Sequence, residues 1–233
     1  MKTALFLLTL ALISCASVSK DSLSLKEKPV TQPNLTTGIK KIKDSKAEEL
    51  LVELLEISSD IHTKPHDLSP LFKVRVMKPD GEIETTDYAS ALHIFETNTG
   101  SSEKVKTQAI FETLKPNETI ITCHGKGLWG PVWGMMLIDY STMTVKKISL
   151  NHKSETPGLG AEIRDSIFEN RFKNKPIDLE ESSFSMVVKD DARLGGKTQI
   201  DGLTGATITS DGTFRMINSS IRAHSGYLAG LKE

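Results

Sequence analysis

Alternating apolar and polar residues in the middle of the chain predict β-strands. Residues 72–76 read Phe-Lys-Val-Arg-Val and change character at every position, which is the period of a strand with one buried face. A Pro-Asp-Gly turn follows at 79–81. Apolar runs of strand length predict further strands. These runs cover residues 109–111, 120–121, 132–138, 145–150 and 184–188.

A period near 3.6 residues replaces this alternation in three places and predicts helices. The first helix should begin at a capping box formed by Ser45 and Glu48 and end near residue 58. The second should cover 161–172, and the last should follow Ser210 as its N-cap. The predicted inner faces comprise Leu50, Leu51, Leu54 and Leu55; then Ile163, Ile167 and Phe168; then Phe214, Ile217 and Ile221.

Strands and helices are mixed along the chain without a regular βαβ alternation. The predicted fold class is therefore α+β, with a largely antiparallel sheet flanked by helices. Residues 45–233 are expected to form this domain. Residues 16–44 are polar, contain two prolines and lack a sustained period, so they are interpreted as a tether.

The first 15 residues have the pattern of a targeting segment. Lys2 precedes an apolar run over residues 4–13, which is shorter than the ~20 residues of a membrane-spanning helix. The run ends at Cys15, as in a bacterial lipobox, where the cysteine becomes lipidated. An ordinary signal peptide cleaved near Cys15, or a short uncleaved anchor, would also fit. Each alternative places the rest of the chain outside the cytoplasm.

Composition narrows the classes of function. The 233 residues carry a formal net charge of −1, without the basic excess that is usual in nucleic-acid-binding proteins. The cysteines are Cys15 and Cys123, and the sequence has no CxxC motif, so the usual zinc and iron–sulfur spacings are missing. The two cysteines also cannot form a disulfide framework of the kind that staples small secreted domains.

Three glycine-rich segments are the candidates for chemistry. They cover residues 125–134, 155–163 and 201–210. Glycine lets the backbone approach a ligand closely, and Trp129 within the first segment could lie against a flat ring. The second segment bends at Pro157 and Gly158 and opens a helix, whose N-terminus favours anions. Taken singly, each segment also fits a structural role as a strand turn, a helix start or a capped loop.

Thr207 lies in the third segment among small residues, which leaves its hydroxyl approachable. A free hydroxyl is a weak nucleophile and needs a base or a metal. The surrounding sequence offers no Ser-His-Asp or Cys-His arrangement. Thr207 is therefore predicted to be an acceptor that another enzyme modifies, and no catalytic residue and no metal site are predicted.

Taken together and in this order, the three segments resemble the FMN-binding domain of the C subunit of the sodium-translocating NADH:quinone oxidoreductase and, more distantly, the G subunit of the Rnf complex. The last segment resembles the flavinylation pattern Asp-x-x-Ser/Thr-Gly-Ala-Thr. The resemblance implies FMN bonded covalently through its phosphate to Thr207. It also implies an FAD-dependent, magnesium-using flavin transferase as a partner, which would recognise Asp201, Thr204, Gly205 and Ala206.

The same resemblance implies where the flavin lies. Leu128 and Trp129 would line the isoalloxazine pocket, while Glu155, Thr156 and Leu159 would contact the ring or the ribityl chain. Thr204, Gly205 and Ala206 would lie beside the attachment point.

The expected function is electron transfer at the extracytoplasmic face of a bacterial membrane. The chain could be part of an NADH:quinone or ferredoxin-linked complex, with the other subunits as partners, or a free-standing flavinylated lipoprotein. A lipoprotein of the same fold that binds a ligand without redox chemistry is a third interpretation.

Overall fold

A six-stranded antiparallel sheet forms the centre of the computed structural model, which describes residues 45–56, 67–101, 107–187 and 198–232. The strand order is β2-β1-β3-β4-β5-β6. The strands are β1 Phe72–Met77, β2 Ile83–Thr85, β3 Gln108–Thr113, β4 Glu118–Lys126, β5 Pro131–Asp139 and β6 Thr144–His152. Cys15 and the predicted tether lie outside the described residues.

Helices cover both faces of this sheet. They are α1 Lys46–Leu54, α2 Tyr88–Thr99, α3 Ser166–Glu169, α4 Thr207–Ala223 and α5 Ser225–Gly230. Short 3₁₀ helices span Ser69–Leu71, Gly160–Arg164 and Asn170–Phe172. A separate parallel pair joins β7 Ser185–Val187 to β8 Gln199–Asp201.

The burial of strand β5 on both faces explains why its sequence is apolar at nearly every position. Trp133 and Met135 face a core shared with α1 and α2, whereas Val132 and Met136 face a core shared with α4. A strand buried on both faces cannot alternate with polar residues. The predicted α+β class with a flanked antiparallel sheet is confirmed.

The first helix is confirmed, although it ends at Leu54 rather than near residue 58. The Ser45 hydroxyl oxygen accepts a hydrogen bond from the Glu48 N–H (3.4 Å), as a capping residue should. The Ser45 hydroxyl and the Ala47 N–H both donate to the Glu96 carboxylate of α2 (3.0 Å each). The N-terminus of α1 is therefore satisfied by its neighbour.

The prediction of one helix over 161–172 is wrong. The backbone is extended at Asp165 (φ −80°, ψ 137°), which separates a 3₁₀ turn from α3. Ile163 and Phe168 are buried as predicted, but Ile167 is 77% exposed. Because the break rotates the chain between Ile163 and Ile167, the two side chains no longer share a face.

The start of the last helix was also predicted wrongly. Helix α4 begins at Thr207, with Ala206 as N-cap, and Ser210 lies inside its first turn. The Ser210 hydroxyl accepts from the Leu203 N–H (2.9 Å) and so stabilises the preceding loop instead. Among the described residues, no helix is long and apolar enough to span a bilayer.

Candidate functional site

The turn between β4 and β5 presents two apolar side chains to solvent. The Gly127 N–H donates to the Gly130 carbonyl (2.8 Å), which leaves Leu128 and Trp129 at the tip, 42% and 65% exposed. The backbone N–H and carbonyl of Trp129 nevertheless both form hydrogen bonds to other residues. Its N–H donates to Glu155 Oε1 (2.8 Å), and its carbonyl accepts from the Ser154 hydroxyl (3.1 Å). A fixed backbone therefore carries an exposed indole.

The second segment follows β6 and contains a buried carboxylate. Glu155 is only 4% exposed, and its Oε2 accepts from the Thr209 hydroxyl of α4 (2.5 Å). The Glu155 N–H donates to Nδ1 of His152 (3.2 Å), a residue whose pKa is lowered mainly by burial. Glu155 thus joins the first and third glycine-rich segments.

The turn after Glu155 leaves two side chains accessible. Gly158 adopts a positive φ of 75°, and the N–H groups of Leu159 and Ala161 converge on the Thr156 carbonyl (3.1 Å each). Leu159 is 42% exposed, and Thr156 is also exposed. These two predicted flavin contacts are therefore open to a ligand, whereas Glu155 is not.

Glycines make the approach of the three segments possible. A Cβ at Gly127 would lie 2.5 Å from Glu155 Oε1, and one at Gly160 would lie 2.6 Å from Thr209 Oγ1. Further along α4, a Cβ at Gly212 would collide with the carbonyl of Lys126. Close packing of backbone against backbone therefore requires glycine at these positions.

The loop before α4 is held on both sides. Arg171 Nη1 donates to the carbonyls of Asp201 (2.8 Å) and Gly202 (3.0 Å). Gly205 has a positive φ of 76°, and a Cβ there would lie 3.0 Å from the Leu159 side chain. The structure therefore brings this loop against the second segment. Asp201 ends β8 and is half-buried.

The hydroxyl groups of this loop differ in accessibility. Thr204 and Thr207 are exposed, whereas Thr209 and Ser210 are buried and hydrogen-bonded. Thr207 is the first residue of the 17-residue helix α4, and its N-cap Ala206 has no side-chain oxygen to occupy the free N–H groups. These groups and the helix dipole favour an anion at Thr207.

The three segments that meet at the start of α4 carry exposed apolar side chains, which form an apolar shelf. It consists of Leu128, Trp129, Leu159 and the 57%-exposed Ile208, four of the six exposed large hydrophobic side chains in the part of the chain that the structure describes. A groove of about 510 Å³, lined in part by Leu128 and Ile208, adjoins it. Concentrated exposed apolar side chains indicate a ligand or partner surface.

The sequence interpretation missed Thr209 and Ile208. It placed the start of α4 at Ser210, so both were assigned to a loop. The helical period could have found Thr209, because Thr209 and Thr213 fall on the buried face once the helix begins at Thr207, whereas Ile208 lies on the exposed face. Of the remaining predicted residues apart from Cys15, some lie on the shelf or in the loop before α4. Glu155 is buried between the three segments, and Thr156 follows it and is exposed. No group of three or more potential metal ligands occurs among the described residues.

Comparison with known proteins finds similarity over the part of the chain that contains this site. Residues 127–222 match the family described as FMN-binding domain. The C subunit of the Na(+)-translocating NADH-quinone reductase from Vibrio alginolyticus is 35% identical over 96 residues, which cover 41% of this chain and 38% of the relative. The corresponding protein of Yersinia pestis is 35% identical over 103 residues, 44% of this chain and 39% of its own length. The match thus spans about two fifths of each relative.

Two solved structures share the fold. The C subunit of the Na(+)-translocating NADH-quinone reductase from Parabacteroides distasonis has a TM-score of 0.54 and 29% identity, covering 68% of this chain and 79% of that chain. NqrC from Shewanella oneidensis has a TM-score of 0.61 over 80% of this chain and 96% of its own. At 17% identity the second comparison bears on the fold alone.

Proposed function

We propose that this chain is an FMN-carrying electron-transfer protein. The premise is its confirmed resemblance to the FMN-binding domain family over residues 127–222 and to C subunits of the Na(+)-translocating NADH-quinone reductase. We place the covalent bond at Thr207. The observation that carries the proposal is an exposed hydroxyl at an uncapped helix N-terminus, next to an exposed apolar shelf. Bound FMN would supply the redox chemistry.

The attachment requires a defined exchange of bonds. The Thr207 oxygen would bond to the FMN-side phosphorus of FAD while the pyrophosphate bond breaks. AMP would leave, and the hydroxyl proton would pass to a base of the transferase. The uncapped N–H groups of α4 would then hold the phosphodiester, a helix-terminus interaction worth about 0.3–1 kcal/mol.

The side chains around Thr207 fit the rest of the cofactor. Trp129, Leu128 and Leu159 present apolar surface on which a planar ring can pack, and Thr156 adds an exposed polar group. We assign the recognition of the acceptor loop by the transferase to Asp201, Thr204, Gly205 and Ala206. The positive φ at Gly205 supports this, because it gives the loop a shape that few other residues allow.

We further propose a location at the extracytoplasmic face of a bacterial membrane. The proposed organisation is a signal peptide or lipobox over residues 1–15, a tether over 16–44 and the FMN-binding domain over 45–233. Lipidation at Cys15 favours a free-standing carrier, whereas the similarity to NqrC favours membership of a membrane complex. Both forms need redox partners outside this chain.

Flavinylation in cells tests the proposal. The chain is co-produced with an active flavin transferase, denatured and examined for fluorescence in the gel. Wild type and Thr207→Ser should give fluorescent bands because both retain a hydroxyl at the helix terminus, whereas Thr207→Val should be dark. A dark wild-type band beside a bright positive control for the transferase would refute covalent attachment. Flavin bound to the native protein but released on denaturation would favour the non-covalent alternative.

A further inference from the structure

The carboxylate of Glu155 is fully engaged by the protein itself. One oxygen accepts from the Trp129 N–H (2.8 Å) and the other from the Thr209 hydroxyl (2.5 Å), and the residue is 4% exposed. Gly127 and Gly160 enclose it, since a Cβ at either position would lie within 2.8 Å of its oxygens. A ligand on the exposed shelf therefore does not reach these oxygens.

The two donors belong to the element that carries the exposed indole and to the helix that carries the proposed attachment point. Trp129 lies at the tip of the β4–β5 turn, and Thr209 lies two residues after Thr207 on the first turn of α4. Among the described residues, the hydrogen bonds that link this turn to the first turn of α4 run through Glu155. That link acts together with the close packing of Gly212 against Lys126 in holding this turn against α4.

We propose that Glu155 is a positioning residue: it holds the backbone that carries the indole of Trp129 at a fixed place relative to Thr207, so that a ring attached there stacks on the indole. This inference rests on the proposed function. The resemblance implied that Glu155 touches the cofactor; the buried, doubly bonded carboxylate instead acts on it through Trp129. Ser154, which donates to the Trp129 carbonyl, assists by holding the other side of the same peptide.

Fluorescence of the native flavinylated protein tests this role, because an indole in contact with a flavin quenches its emission. Glu155→Ala should retain the covalent flavin and give a several-fold rise in native emission. Glu155→Gln should stay near wild type, since an amide can accept from Trp129 and donate to Thr209. Glu162→Ala is the matched control from the same segment and should not change emission.

A double-mutant cycle separates positioning from general loosening. Trp129→Ala should raise emission as Glu155→Ala does, and the double variant should add nothing to Trp129→Ala. Thr209→Val removes one of the two bonds at similar volume and should give a partial rise, which keeps the test decisive if Glu155→Ala does not fold.

The outcomes distinguish this inference from the proposed function. Wild-type emission from folded Glu155→Ala or from Thr209→Val, or an additive double variant, would overturn the positioning role and leave covalent attachment intact. A wild type without covalent flavin would overturn both.

Discussion

Two carboxyl groups, those of Glu169 on α3 and Glu53 on α1, lie side by side at strand β6. Glu169 is buried, and its Oε1 accepts from the Leu150 N–H (2.7 Å). Its other neighbour is the side chain of Glu53 on α1, which accepts from the Ser149 hydroxyl (2.6 Å). Burial above all, with Glu53 contributing, raises the pKa of Glu169 to about 8, while the Leu150 N–H and Lys147 oppose the shift.

This pKa determines the sign of a pH effect on stability. The folded state holds a proton on Glu169 that the unfolded chain releases above its ordinary pKa of 4.5. The free energy of unfolding should therefore be largest below pH 4.5 as far as this group is concerned. It should fall as the pH rises towards 8, by on the order of 1 kcal/mol per pH unit.

Glu169→Gln removes the titration and keeps the contacts, because its amide oxygen can accept from Leu150 and its amide nitrogen can donate to Glu53. Urea unfolding of both proteins between pH 5 and pH 9 measures the effect. Near pH 5 the free energy of unfolding of the variant should match that of wild type. Near pH 9 it should be larger by a few kcal/mol, because wild type loses on the order of 1 kcal/mol per pH unit over this range. Glu56→Gln removes an exposed charge that pairs with Lys147 (3.6 Å) and should change stability by less than about 1 kcal/mol. Parallel pH profiles for wild type and Glu169→Gln would refute the reasoning.

Three further predictions concern packing and acid stability. Gly212→Ala should lower the free energy of unfolding by about 1–3 kcal/mol despite better helix propensity, because the new Cβ meets the backbone carbonyl of Lys126; a more stable variant in urea would contradict this. Burial lowers the pKa of His224 to about 4, so the free energy of unfolding should fall as the pH drops from 6.5 towards 4. In thermal melts at pH 5 and 7, His224→Phe should lose less stability between the two pH values than wild type does. Ile163→Ala should cost about 2–5 kcal/mol, whereas Ile167→Ala should stay within about 0.5 kcal/mol; equal losses in urea would restore the single-helix interpretation.

The sheet could be predicted from the local pattern because its long strands are runs of apolar residues of strand length. The apolar run 132–138 is fully buried. It lacks the two-residue alternation of a half-buried strand because both of its faces are covered. Helix α2 was not predicted, although its buried residues Ala91, Leu92 and Phe95 have helical spacing. Its N-cap Asp87 is an ordinary loop residue until the helix is known. The parallel pairing of β7 with β8 depends on contacts distant in sequence.

The candidate site was predictable in composition but not in arrangement. Trp129, Leu159 and Thr207 are accessible to a ligand, and their contact with a flavin stays a prediction. The role of Glu155 could not be read from its own segment, since its partner Thr209 lies 54 residues away. The predicted helix start at Ser210 was wrong because serine is a common N-cap residue. In the structure the chain turns at Gly205, which has a positive φ, and the helix begins at Thr207.

The mass of the purified chain, co-produced with an active flavin transferase, tests the central claim most directly. Covalent attachment predicts a gain equal to FMN less one water, carried by the peptide that contains Thr207 and absent in Thr207→Val. An unmodified mass, or the added mass on a peptide that lacks Thr207, would contradict the account.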